Sequence, residues 1–159
     1  MKIVTLFVFL AGLQASSLVS ADNLPTPTDA PPTFKTECGS CHLAFPPSLL
    51  MADDWKRVMT NLDKHYGDNA SLDAKTRLDI EGFLLRHGGS EKKRAGAGDP
   101  PRITTTRSFK RQHDEVPARI WSNPAVKSAA NCGGCHKRAE EGRFGERELV
   151  MPGGKKWED

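Results

Sequence analysis

Two pentapeptides in this chain have the residue types and spacing to do chemistry: Cys38-Gly-Ser-Cys41-His42 and Cys132-Gly-Gly-Cys135-His136. Each pairs two thiols across a two-residue spacer and follows them at once with an imidazole. Such thiols can add to the two vinyl groups of protohaem as thioethers, and the adjacent imidazole is then delivered to iron as the proximal ligand. That is the attachment pattern of c-type haem. The motifs consume all four cysteines, so none remains for a disulfide or a catalytic thiol. A lone Cys-x-x-Cys can also be a redox dithiol or half of a zinc site. The dithiol motif accompanies a βαβ pattern, and no strand-rich segment is present. Four-cysteine zinc sites bring their pairs within roughly 15–20 residues, whereas about ninety separate these two. With His following both pairs, the reading is two covalently bound haem c groups.

What stands opposite each proximal His decides the chemistry, because a filled sixth position passes electrons and an open one binds small molecules or peroxide. Three other histidines are present, His65, His87 and His113, and Met51, Met59 and Met151 lie beyond the first twenty-one residues. For the first haem, His65 lies at the edge of an apolar stripe formed by Trp55, Val58 and Leu62, where a ligand would face a haem pocket near its rim. An exposed His before a helix stop is the alternative. Met59 shares the stripe, as a rival ligand or as core packing, and Met51 reads the same way. For the second haem, His113 precedes the motif in polar surroundings and competes with Met151 in the tail. His87, at Arg-His-Gly-Gly, reads as a partner of a helix C-terminus.

The elements that must carry these groups are helical. The first motif should open or end a short helix, stopped by Pro46-Pro47. Asp53 or Asp54 is expected to cap a helix through Trp55, Val58, Met59, Leu62 and Tyr66, ended by Gly67. A further helix should start at Ser71 or Asp73, carry Leu78, Ile80, Phe83, Leu84 and Leu85, and close at Gly88-Gly89. Residues 88–101 combine Gly, Pro and charge and read as a linker. A short helix is expected at 107–113, an apolar pair at Ile120-Trp121, and the second motif on a helical stretch over 125–142. The tail from Arg143 reads as irregular. No period-2 segment occurs, so the fold should be mainly α with extensive loops.

Residues 1–21 carry the marks of a secretory signal peptide: Lys2, an apolar run over 3–13 too short to span a bilayer, and Val19-Ser20-Ala21 before Asp22. An uncleaved anchor is the alternative. Export suits c-type haem, which is attached outside the cytoplasm, and a bacterial periplasm is the expected compartment. Residues 22–33 are Pro/Thr-rich and read as an extended tether. The formal charge of +3 falls to +2 without Lys2, and four haem propionates would bring it to neutral or mildly acidic. Nucleic-acid binding therefore has little support. The cations Lys92-Lys93-Arg94, Arg107, Lys110 and Arg111 read as solvated faces or propionate partners, against a docking patch for an acidic partner.

The blocks Glu37-Cys-Gly-Ser-Cys-His-Leu-Ala-Phe-Pro-Pro-Ser-Leu-Leu50, Trp55, Leu62-x-x-His65-x-Gly67 and Ala70-Ser-Leu-Asp73 resemble the dihaem cytochrome c family. So do Arg102-Ile-Thr104, Phe109-x-x-x-His113-x-Glu-x-Pro117, Trp121, Lys127-Ser128, and Asn131 through the second motif to Gly142-Arg-Phe144. The resemblance implies two low-spin, bis-His haems, with distal ligands at the matching positions His65 and His113. It implies a class I cytochrome c-like N-terminal haem domain over 34–89, a linker over 90–101 and a smaller, irregular C-terminal haem domain over 102–159. It also implies a membrane b-type cytochrome as donor and a small oxygen-binding c-type haem protein as acceptor. The expected function is periplasmic electron transfer, with no catalytic residue and no small-molecule substrate. A dihaem peroxidase and an electron-transfer subunit of a periplasmic reductase are the rivals.

Overall fold

The computed structural model describes residues 23–154; the expected signal peptide lies outside them. Helix α1 (Pro32–Cys38) starts on a proline whose fixed φ suits the first turn, and it buries Phe34. It ends inside the first Cys-x-x-Cys-His motif. The Gly39 N–H bonds the Lys35 carbonyl at 3.0 Å, and a Cβ at Gly39 would lie 2.3 Å from that oxygen. Pro46 and Pro47 do not simply stop a helix but start a 3-10 turn, Pro47–Leu49, whose Pro47 carbonyl accepts the Trp55 indole N–H at 2.6 Å.

Helix α2 (Ala52–Thr60) is shorter than the periodicity predicts, and its N-cap is Met51, not an aspartate. Asp54 sits in the first turn, buried, and binds the Arg57 guanidinium at 2.6 Å. The helix stops because Asn61 folds its side-chain amide back onto the Arg57 carbonyl at 2.9 Å, a local bond that competes with the helix ladder. A 3-10 turn, Leu62–Lys64, follows, so His65 and Tyr66 lie beyond the helix. Helix α3 (Ala74–His87) begins where expected, with the Asp73 carboxylate accepting the Thr76 N–H at 3.0 Å. Leu78 departs from its expected apolar face and is 57% exposed.

The core gathers Phe34, Leu50, Trp55, Met59, Ile80, Phe83, Leu84 and Ala97. Phe34 and Phe83 meet at 4.9 Å between ring centres. Burying each such large side chain contributes about 1.5–3 kcal/mol, and this core holds the α1–α2–α3 frame on which the first haem motif stands. Met59 belongs to it, 3% exposed.

Residues 90–101 are folded against that frame. They form α4 (Glu91–Arg94), bury Ala97 in the core, and bring the Arg94 Nε within 2.6 Å of the Ser48 carbonyl. A 3-10 turn, Ile103–Thr105, leads into α5 (Arg107–Gln112), capped by Thr106, and then α6 (Ala118–Trp121). Beyond this, the expected helical stretch over 125–142 is replaced by 3-10 turns at Cys132–Gly134 and Ala139–Glu141. Lys127 takes a positive φ of 64°, the Asn131 amide binds the Val126 carbonyl at 2.9 Å, and Gly133-Gly134 has little helix propensity. The tail is tied down: Arg143 bonds Glu148 through Nε at 2.8 Å, and the Val150 N–H reaches the Cys135 carbonyl at 3.0 Å.

The N-terminal segment is extended as expected, but docked. Asn23 pairs with Arg143, the Leu24 N–H bonds the Gly142 carbonyl at 2.7 Å, and Asp29 meets Arg86 and His87 at the end of α3. It thus straps the C-terminal part to the helical frame. Among the described residues there is no β-strand, only isolated bridges, and no helix long and apolar enough to cross a membrane.

Candidate haem sites

The first motif begins at the last residue of α1, so Cys38 is half-buried against the core while Cys41 stands exposed one turn on. Burial, with Glu37 beside it, pushes the Cys38 thiol up to about 11. The His42 Nδ1 lies 2.7 Å from the Leu43 carbonyl. A carbonyl can only accept, so Nδ1 carries the proton and Nε2 keeps its lone pair for a metal. Phe45 stacks on the ring at 4.8 Å.

From α2 and the turn after it, His65 arrives opposite. Its carbonyl accepts the Asp68 N–H at 3.0 Å, closing a tight turn in which Tyr66 (φ 53°) and Gly67 (φ 110°) are left-handed. The His42 and His65 ring centres are 6.1 Å apart and their planes differ by 20°. Two imidazoles bound to one iron through bonds of about 2 Å place their ring centres about 6 Å apart, which this gap matches.

The second site is built differently. The turn Cys132–Gly134 carries the motif, and the His136 N–H bonds the Cys132 carbonyl at 2.8 Å. A bridge to Leu149 and the Phe144 ring at 5.3 Å hold His136 from the tail. Burial pushes the Cys132 thiol up to about 11 and raises that of Cys135. His113 closes α5, its Nδ1 2.9 Å from the Phe109 carbonyl. Its ring stacks on Phe109 at 4.0 Å and lies 5.8 Å from Trp121. The His113 and His136 rings are 6.2 Å apart, with planes 74° apart.

Burial lowers the imidazole pKa of His65 and His113 from the ordinary value of 6.5 and takes His136, with His113 beside it, to about 4. Desolvation thus keeps these rings neutral, the form that ligates iron. The donor sets fit a haem at each site: a thiol pair, a proximal imidazole, and a second neutral imidazole at iron-spanning distance. Among the described residues no group of three or more His, Cys, Asp or Glu could hold a bare metal ion, so the cysteine pairs do not converge on one zinc.

The structure brings His42 to His65 and His136 to His113. It leaves His87 apart, against Phe83 and Asp29, and keeps Met59 in the core. Met151 is buried beside Val150, which bonds the second motif. Phe45 and Phe144 stand in the family-like blocks of the sequence without an assigned role, and the structure sets each against a proximal imidazole; the contact of Tyr66 with His65 at 4.8 Å had only adjacency in sequence to signal it.

The profile of the dihaem cytochrome c family matches residues 34–144. Among solved structures, the diheme cytochrome c from Shewanella baltica OS155 is 41% identical, with 79% of this chain and 95% of that one covered and a TM-score of 0.70. A diheme cytochrome c from Rhodobacter sphaeroides is 36% identical, covering 76% and 99%, at a TM-score of 0.66. The crystal structure of DHC purified from that organism gives 38% identity, 75% and 99% coverage, and 0.63. A search of curated proteins finds no match.

Proposed function

Since the chain belongs to the dihaem cytochrome c family and carries two c-type haems, we propose that it is a periplasmic one-electron carrier with both irons closed. Bound haem supplies a ferric/ferrous couple, and the chain's residues decide what that couple can do. Cys38 and Cys41 would hold the first haem, with His42 and His65 as the imidazoles that would ligate its iron. Cys132 and Cys135 would hold the second, with His136 and His113. The two facing pairs of neutral imidazoles carry this reading. Carbonyls of Leu43 and Phe109 orient His42 and His113 through their Nδ1 protons, a support that fixes ring direction and raises ligand basicity.

Two imidazoles leave no open coordination position for peroxide or substrate, which is why we read the protein as a carrier and not an enzyme. Bis-His ligation also holds potentials below those of His/Met centres. Residues 34–89 form the first haem unit in this proposal, 102–159 the second, and 90–101 the connection between them. The protein exchanges electrons with redox protein partners; the proposed donor is a membrane b-type cytochrome and the acceptor a small oxygen-binding c-type haem protein. Residues 1–21 would direct export. Carbon monoxide added to the dithionite-reduced protein tests closure directly: neither haem should bind it on mixing, and peroxide should not be turned over. Rapid carbon monoxide binding at either haem refutes the proposal for that haem.

A further inference from the structure

Tyr66 stands in a conformation that L residues rarely adopt. Its φ is 53°, and for a bulky aromatic that is an outlier sustained only where the surroundings over-determine it. Three contacts do so. The phenol O–H donates to the Pro101 carbonyl. The Arg102 guanidinium lies 4.5 Å above the ring centre, within range of a cation–π attraction. The ring edge meets His65 at 4.8 Å and 71°. The segment supplying Pro101 and Arg102 is itself pinned, because Arg57 reaches both the Gly98 carbonyl at 3.0 Å and the Asp99 carboxylate at 3.2 Å, while its other contact is Asp54.

This arrangement borders an open cleft of about 360 Å³, lined by His65 itself with Arg57, Val58, Lys64, Tyr66 and Pro101 among others. An imidazole leaving the iron needs somewhere to go, and this cleft is next to it. His113 is held differently. Its ring lies flat on Phe109, meets Trp121 of the next helix at 5.8 Å and is bonded to a carbonyl within its own helical turn, supports that come from nearby in the chain, whereas those of Tyr66 come from Pro101 and Arg102.

We propose that Tyr66 and Arg102 are positioning residues that lock His65 onto the first haem iron, and that releasing them lets His65 swing into the adjacent cleft and opens that haem to small neutral ligands. The inference rests on His65 being the distal ligand. It gives the two haems unequal latches: the first is held by the segment that leads into the second haem unit, so movement of 98–102 is transmitted to His65.

The experiment uses the full holoprotein in four forms: wild type, Arg102→Ala, Arg102→Lys and Tyr66→Phe. Each is checked for two haems per chain and for its helical circular dichroism. Carbon monoxide is then mixed with the dithionite-reduced protein, and the paramagnetic resonance spectrum of the oxidised form is recorded. Arg102→Ala should bind carbon monoxide at one haem about tenfold faster than wild type, and Tyr66→Phe several-fold faster. Arg102→Lys keeps a cation over the ring and should restore most of the closure. The low-spin signal of the first haem should broaden in the first two variants, while that of the second stays unchanged. Wild-type kinetics and spectra in both Arg102→Ala and Tyr66→Phe overturn the lock, as does equal loosening of both haems. If Arg102→Ala fails to take up haem, Tyr66→Phe decides alone. Rapid binding by wild type itself would refute the closed-haem reading; a closed wild type with equally closed variants refutes only the lock.

Discussion

The angle between facing imidazole planes gives each haem a separate spectroscopic expectation. An axial imidazole in a low-spin ferric haem interacts through its π system mainly with one of the two π-type d orbitals of iron. Two ligands reinforce each other when their planes are parallel and cancel when they are perpendicular, so the splitting scales as the cosine of the angle between them. With planes at 20° and 74°, the cosines are about 0.94 and about 0.28, and the splitting at the first haem should be about three times that at the second. The oxidised protein should therefore show two low-spin resonance signals. If the proposed ligand pairs hold, the haem between His42 and His65 should give an ordinary rhombic signal, and the one between His136 and His113 a strongly anisotropic signal with a larger maximum g value. Substitution assigns them. His65→Ala should convert the rhombic signal alone to a high-spin one, and His113→Ala the anisotropic signal alone. Two rhombic signals of equal anisotropy, or loss of the large-g signal on His65→Ala, would show that this pairing of ligands and planes is wrong.

Two further expectations concern the frame around the haems. Phe83 is fully buried and packs on Phe34, so Phe83→Ala should cost about 3–5 kcal/mol, read as a lowered Tm of the holoprotein; an unchanged Tm would show that the α1–α3 contact is not what holds the first haem unit. The Asp29 carboxyl is held below its ordinary value of 3.8, first by its bond to His87 and then by Arg86. A depressed folded-state pKa means that its contribution is fully present above the unfolded value and is lost as pH falls through the lower, folded one. Below about pH 4 the wild type should thus lose stability through this site, and Asp29→Asn should lose the corresponding part of the acid slope in pH-dependent unfolding; an identical slope would remove the ion pair from the account.

Legibility in the sequence followed the range of the interaction. Helix α3 could be read because its start is local chemistry, an aspartate side chain bonding a backbone N–H three residues on, and its end is a glycine pair. The end of α2 could not, because the bond that stops it is one side chain's choice: Asn61 turns onto the Arg57 carbonyl, a move hydrophobic spacing does not encode. The burial of Ala97 and the contact of Arg94 with Ser48 arise from packing across more than forty positions, so the same Gly, Pro and charge pattern that signals a linker also describes a folded, docked segment.

By itself, the sequence determined the covalent chemistry. Two thiols and an imidazole within five consecutive residues need only a local turn to present themselves to one macrocycle, and four cysteines in two such motifs account for two haems. Spacing alone left open what faces those imidazoles; the family resemblance pointed to His65 and His113, and the tertiary structure shows how they come to face the proximal rings. His65 and His113 are each 23 positions from the proximal His they face, and three methionines and His87 competed with them on paper. Packing of α2 and α5 brings two rings to 6.1 and 6.2 Å from their partners, sets one pair nearly parallel and the other nearly crossed, and places Tyr66, with Arg102 over its ring, beside His65. Those are relations between distant segments, fixed by how side chains fill shared space, and no spacing along the chain specifies them.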